Sequence, residues 1–169
     1  MFAEHTLESA PAASRRAMES TVKRLGHLPP AVARLATSPH LLDGFLKLSA
    51  MFEQTTLEPV AREVVVMTIA TRNECHVCVA MHTGKLRALG AEDQLIAALA
   101  GQEPLPDERL EAVRQFALEV LRTAGGVGDE ELRAFLGHGY TEQNALEVVM
   151  GIGTYTMSTL ANRLTRAAL

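Results

Sequence analysis

The sequence contains no tryptophan, two tyrosines and five phenylalanines, so aromatics make up only 4% of its 169 residues. A core without large rings must close through aliphatic side chains, and Leu and Ala recur throughout a chain that is 47% hydrophobic. That composition favours packed helices. Cysteine is scarcer still, with Cys75 and Cys78 the only two. A secreted disulfide framework needs several pairs, so one close pair points instead to a catalytic or metal-binding thiol site. No block of lysine or arginine tracks a phosphate backbone, and at net charge −4 with both signs mixed, nucleic acid is not an expected partner. Long hydrophobic runs are missing too: the uncharged stretch Val148–Asn162 falls short of the ~20 residues of a membrane-spanning helix. The opening MFAEHTLESA lacks a charged start followed by an apolar core, so no signal peptide is expected. These absences predict one all-α domain over residues 1–169, soluble and cytoplasmic, and long enough for a real core.

What the chain does have is concentrated in Glu63–His82, which reads EVVVMTIATRNECHVCVAMH. The apolar run Val64–Ala70, introduced by Leu57, Val60 and Ala61, predicts a helix that loses its periodicity at Arg72-Asn73-Glu74. Thr56 is its expected cap, with Pro59 in the first turn, and Asn73 is the expected left-handed residue at its end. A second helix is expected from Cys75 to about Ala88, stopped by Gly90. Together they make an αα-hairpin turning near Asn73. On the second helix Cys75 and Cys78 stand three apart and His82 lies four beyond Cys78, so all three share a face. Glu63 precedes the turn by about as many residues as His82 follows it, so antiparallel packing can bring the two level. With Val60, Val66 and Met67 as helical neighbours, Glu63 points inward, where a carboxylate needs a polar partner. His82 is the candidate. His76 points about a quarter-turn away from the cysteines and is read as solvent-facing.

A free thiol has a pKa near ~8.5, and C-x-x-C thiols at helix N-termini or beside histidine ionise more readily. Glu74 sets a negative charge beside Cys75 and disfavours its thiolate, whereas His82 can take or stabilise the Cys78 proton. Charge therefore assigns Cys78 as the attacking thiol and Cys75 as the resolving one. Two other readings of the same residues stay open. Glu63 can complete a metal-ligand set with both cysteines and His82, or the cysteines can be inert and buried on an apolar helix face.

The pattern E-x(11)-C-x-x-C-x-x-x-H, from Glu63 through Cys75 and Cys78 to His82, resembles the core of the carboxymuconolactone decarboxylase and alkylhydroperoxidase AhpD-like family over about Leu57–Leu89. The resemblance implies an AhpD-like helical bundle that assembles as trimers or hexamers. It also implies thiol peroxidase chemistry in which Cys78 attacks peroxide, Cys75 resolves to a disulfide, and His82 and Glu63 form a proton relay. The implied partners are a hydroperoxide substrate and a thiol, lipoyl-type or protein reductant. No haem, flavin or metal cofactor is called for, because sulfur carries both electrons. One position departs from the pattern. The family's thiol peroxidases have a second histidine just before the attacking cysteine, where this chain has Val77. His76 comes one place early, about 100° away on a helix, so a shorter relay is expected. Family decarboxylases acting on the lactone generally lack the cysteine pair, so that activity is not expected here. The runner-up functions are a dithiol–disulfide oxidoreductase that does not use peroxide, and a non-catalytic metal-binding or structural oligomer.

The remaining segments read as supporting helices. One is expected over Thr6–Leu25, capped by Ser9 with Pro11 near its first turn, and a short one follows from Ala31. Ser38-Pro39 starts a helix from His40 to about Gln54, whose stripe Leu41, Phe45, Leu48 and Phe52 is read as core. In the resembling family this region also lines the approach to the active site. Further helices are expected over Ala91–Ala100, Asp107–Thr123 and Asp129–Leu136, with Glu103-Pro104-Leu105-Pro106 as the clearest linker. Gly125-Gly126-Val127-Gly128 reads as a flexible connector and His138 as a turn residue. The last helix, from Thr141 and Asn144 to about Ala168, is apolar on more than one face, which predicts a subunit interface. Gly151 and Gly153 are read as points of close packing, and Asn162-Arg163 resembles a feature of the family's closing helix.

Overall fold

The run Val64–Ala70 has no polar face to turn toward water, and the structure surrounds it. In this computed structural model, which describes residues 2–168, the described residues form nine α-helices and no strand. They are α1 (Ala12–Leu25), α2 (Pro30–Leu35), α3 (Pro39–Phe52), α4 (Pro59–Arg72), α5 (His76–Ala88), α6 (Asp93–Gly101), α7 (Glu108–Thr123), α8 (Asp129–Gly137) and α9 (Glu142–Thr165). The central helix is α4, against which α5, α6, α7 and α9 all pack, and every residue from Glu63 to Thr71 is buried. The main core spreads from α4 through Met67, Leu99, Val113, Phe116 and Tyr155. A second cluster joins Met18, Leu35 and Leu42 of α1–α3 to Ala161 of α9.

Side-chain caps start three of these nine helices. Ser38 and Asp107 accept the N–H of Leu41 and Leu110 at 3.4 and 2.8 Å, and Thr141 with Asn144 forms a capping box. Each such cap contributes about 1 kcal/mol. Two expected caps do other work. Thr6 and Ser9 bond each other in a turn, so α1 begins at Ala12 after Pro11. Thr56 does not cap α4, whose N-cap residue is Glu58. Its N–H and hydroxyl both donate to Glu147 of α9 at 2.9 Å, and the Leu57 N–H joins them at 3.1 Å. Asn144 and Gln143 complete the shell at 3.0 Å. Burial alone opposes the Glu147 charge, but the donors of Thr56, Asn144 and Gln143 outweigh it and lower the pKa. Glu147 thus clasps the entrance of α4 to α9.

Three further expectations change. The inward row of α3 is Leu42, Phe45, Ser49 and Phe52; Leu48 is exposed and Leu41 only half-buried. The helix is turned by one position because Leu42 seats in the second cluster with Met18 and Leu35. The Glu103–Pro106 segment joins rather than separates: Leu105 is buried in the main core, and its N–H donates to Glu111 at 2.9 Å. The last helix stops at Thr165, with Arg166 in the left-handed region at φ 53°. Its outer side carries the exposed Leu146, Val149, Leu160 and Leu164, the first and last of them 72% and 70% exposed. Among the described residues no helix is long and apolar enough to cross a membrane.

The two glycines of α9 differ. A Cβ on Gly151 would lie 2.7 Å from the Phe52 ring and 3.0 Å from Val65, both fully buried, whereas one on Gly153 meets open space. Both alanine replacements gain about 1 kcal/mol of helix propensity, but overpacking opposes it only at 151, by about 1–3 kcal/mol. Gly151→Ala is therefore expected to be less stable than Gly153→Ala by that margin, seen as a lower urea midpoint at unchanged slope.

Candidate active site

The site begins at the turn between α4 and α5. Asn73 stays at φ −87°, and the left-handed residue is Glu74 at φ 51°. The Cys75 N–H reaches Ala70 O at 2.9 Å and the Glu74 N–H reaches Thr71 O at 3.0 Å, which is a Schellman motif with glutamate where glycine is usual. Asn73 is withheld from that role by tertiary bonds: its side chain donates to Thr159 at 2.9 Å, and its carbonyl accepts from Arg163 at 2.6 Å. The left-handed conformation costs a non-glycine residue about 1 kcal/mol. An ion pair of the Glu74 carboxylate with Arg163, 3.2 Å away, sits at the same place.

This turn delivers Cys75 as the N-cap residue of α5 and Cys78 one turn on, and the two are joined as a disulfide with Cα atoms 5.3 Å apart. Both are buried. Cys78 lines a cavity of about 320 Å³ between α5, α9 and the α1–α3 segment, walled by Val32, Leu35, Phe45, Leu46, Met81 and Tyr155. His82 and Asn162 also line it. Val77 is buried and His76 is exposed.

Below the cavity, Glu63 of α4 is 1% exposed and level with α5, as the hairpin count requires. His82 Nδ1 lies 2.6 Å from Glu63 Oε2, and Lys85 Nζ lies 2.8 Å from Oε1. Burial works against the Glu63 charge, but the hydrogen bonds and charges of His82 and Lys85 outweigh it, so its pKa is lowered. Lys85 also pairs with Glu53, the residue that ends α3. Burial disfavours its ammonium, yet the two carboxylates raise its pKa overall. An ionised carboxylate only accepts, so His82 Nδ1 must carry the proton and Nε2 is left to exchange one. Tyr155 meets the His82 ring edge-to-face at 5.4 Å and shares a hydrogen bond with Ser49 at 3.2 Å. The imidazole is thus held at one nitrogen and across its face.

The structure brings Cys75, Cys78, His82 and Glu63 into one neighbourhood but does not link them all. Among the described residues the hydrogen-bond partner of the Cys78 sulfur is not His82 but Asn162, whose Nδ2 donates at 3.4 Å. Glu74 does not act on Cys75 as an isolated charge, since Arg163 engages it. In this disulfide form the four residues do not converge as a metal-ligand set. Sequence reasoning missed Lys85, Glu53 and Tyr155. Lys85 had a signal, because Cys78, His82 and Lys85 repeat at helical spacing on one face. Tyr155 and Glu53 had none, since their placement depends on how α9 and α3 pack.

A disulfide-linked cysteine pair thus stands on a helical hairpin, above a buried carboxylate–histidine couple in an all-α bundle. A model of the carboxymuconolactone decarboxylase family matches residues 39–123, half of the sequence, and the chain belongs to that family. Its fold is shared with a solved "alkylhydroperoxidase AhpD core" from Ralstonia eutropha, an uncharacterized peroxidase-related protein. That match has a TM-score of 0.86 at 20% identity and covers 99% of this chain and 90% of the other. An uncharacterized peroxidase-related protein from a Silicibacter species aligns with a TM-score of 0.80 at 18% identity, over 99% and 90%. A protein of unknown function from Agrobacterium tumefaciens aligns with a TM-score of 0.68 at 17% identity, over 79% and 93%. No curated protein matches significantly.

The Glu63 couple predicts a pH signature. A depressed carboxylate pKa contributes stability that is complete above the ordinary glutamate value of 4.5 and is lost as pH falls through the lowered pKa. For Lys85 the contribution is present below the ordinary 10.5 and lost as pH rises through the raised pKa. Glu63→Gln is expected to destabilise by about 3 kcal/mol at neutral pH, the lower end for a broken buried pair because Lys85 keeps Glu53. Its stability should also fall less steeply than wild type below pH 4.5, as read from urea unfolding across an acid series.

Proposed function

We propose that this chain is a two-cysteine thiol peroxidase of the AhpD-like kind, acting on hydroperoxides. The observation that carries this reading is the position of Cys78, which is half of a closed C-x-x-C pair and lines an apolar-walled cavity shared with a glutamate-backed histidine. In the reduced enzyme His82 Nε2 takes the Cys78 proton while Glu63 holds Nδ1–H, and the Asn162 N–H steadies the thiolate. The thiolate attacks one oxygen of the hydroperoxide and the O–O bond breaks. The alkoxide leaves with a proton returned by His82, and Cys78 becomes a sulfenic acid. Cys75 then attacks that sulfur, water departs and the disulfide forms. Two thiols and one hydroperoxide give one disulfide, one alcohol and one water. A thiol, lipoyl-type or protein reductant restores the thiols. With Val77 in place of a second histidine, the relay runs through His82 and Glu63 alone. With Glu74 paired to Arg163, the advantage of Cys78 over Cys75 rests on Asn162 and His82.

The expected trimer or hexamer belongs to this proposal, with the row Leu146, Val149, Leu160 and Leu164 as the contact between copies. A Leu146→Lys, Leu164→Lys double variant should sediment as a smaller species than wild type.

One equivalent of hydroperoxide added to metal-free, reduced protein tests the chemistry by thiol counting and intact mass. Wild type should lose both thiols and two hydrogens within a single chain. Cys78→Ser should keep its remaining thiol, and Cys75→Ser should gain one oxygen at Cys78. His82→Ala should slow oxidation by about 10²–10⁴. If both thiols persist in wild type, peroxidase activity is the wrong assignment and disulfide exchange without peroxide takes its place.

A further inference from the structure

The disulfide has two differently built sides. Cys78 lines the apolar cavity and Cys75 does not. Cys75 lines a second cleft of about 240 Å³, formed with Glu74, His76, Asn162, Arg163 and Arg166, from which Cys78 is absent. Asn162 is the partition, being the one residue common to both. The cleft is polar and net positive: Glu74 is paired with Arg163 at 3.2 Å, and among the described residues Arg166 has no ion-pair partner.

Reduction of a disulfide requires a thiolate to attack one sulfur while the other leaves, and the better-stabilised thiolate leaves faster. Here the two sulfurs are not equivalent. The Asn162 N–H points at Cys78 Sγ at 3.4 Å, and His82 lies one turn further along the same helix. Among the described residues no side-chain hydrogen bond reaches the Cys75 sulfur. Cys78 is therefore the leaving group, and Cys75 is the sulfur to be attacked. In-line attack on Cys75 comes from the side opposite Cys78, and of the two openings the charged cleft is the one that Cys75 lines and Cys78 does not.

We propose that this cleft is the entrance for the reductant, a thiol carrier bearing negative charge, while the hydroperoxide enters by the other cavity. This rests on the two-cysteine cycle above and names the partner of its second half. The carrier's thiolate bonds to Cys75 Sγ, the Cys75–Cys78 bond breaks, and Cys78 departs as a thiolate. A second carrier thiol then attacks the carrier sulfur of the mixed disulfide, releasing the oxidised carrier and the Cys75 thiol. Two electrons pass from two carrier thiols to the enzyme, and the two protons end on its cysteines.

The test uses the full chain, oxidised with diamide so that no hydroperoxide is involved. It is mixed with 3-mercaptopropionate and quenched with N-ethylmaleimide, and the peptide carrying both cysteines is fragmented. The expected product carries mercaptopropionate on Cys75 and maleimide on Cys78, and the reverse pattern overturns the assignment. Arg166→Glu should slow capture of 3-mercaptopropionate several-fold relative to uncharged 2-mercaptoethanol. Equal rates relative to wild type for both thiols would overturn the anionic carrier. Because diamide bypasses the peroxide step, either result is independent of whether hydroperoxide is the oxidant.

Discussion

Everything around the thiols depends on one buried carboxylate. Glu63 lies in the middle of a helix with neighbours on almost every side, where an unpaired charge would be prohibitive. It is accommodated because α5 presents His82 and Lys85 to its two oxygens, and Lys85 is also paired with Glu53, the residue that ends α3. The chain of charges runs from α3 through α5 to α4. The disulfide lies one turn before His82, so the thiol positions inherit their precision from the pairing beneath them. This is a polar network in which each member satisfies the next, the condition under which burying charge specifies an arrangement instead of disrupting one.

The turn above that network shows a similar division of work. Local chemistry nominates Asn73 for the left-handed position, but Thr159 and Arg163 of α9 hold it in place, and the conformation passes to Glu74. The backbone bonds of the Schellman motif still close, so the helix ends where its pattern ends and Cys75 arrives at the N-terminus of α5. The same arginine that fixes the turn also engages the Glu74 carboxylate, which alters the electrostatic surroundings expected from the neighbouring residues alone.

Much of this was legible before any coordinates. The αα-hairpin followed from the loss of periodicity at Arg72-Asn73-Glu74. The level placement of Glu63 and His82 followed from counting residues on each side of that turn. The helical class and the family resemblance followed from composition and from one spaced pattern. What stayed hidden was set by distant segments. Thr56 looks like a helix cap until Glu147 is brought to it across the bundle. The α3 stripe was read one residue out of phase, because Leu41 and Leu42 are equally apolar and only the seat beside Met18 decides between them. Gly151 and Gly153 look alike in sequence, and the side chains of Phe52 and Val65 separate them. Asn162 carried a family signal but no role, since nothing in the chain order places it against Cys78.

The way α9 lies along the hairpin has a consequence for how this fold can vary. Glu147 holds the α4 entrance, Tyr155 braces His82, Asn162 touches Cys78 and Arg163 secures the turn, all from one uninterrupted helix. Each added residue advances a helix by ~1.5 Å and turns it by ~100°. One insertion between Tyr155 and Asn162 would carry the amide off the sulfur and turn Leu164 out of line with Leu146, and no loop lies within the span to absorb the shift. Length changes in descendants of this chain should therefore collect in the connection at 124–128, while the reading phase of α9 stays fixed.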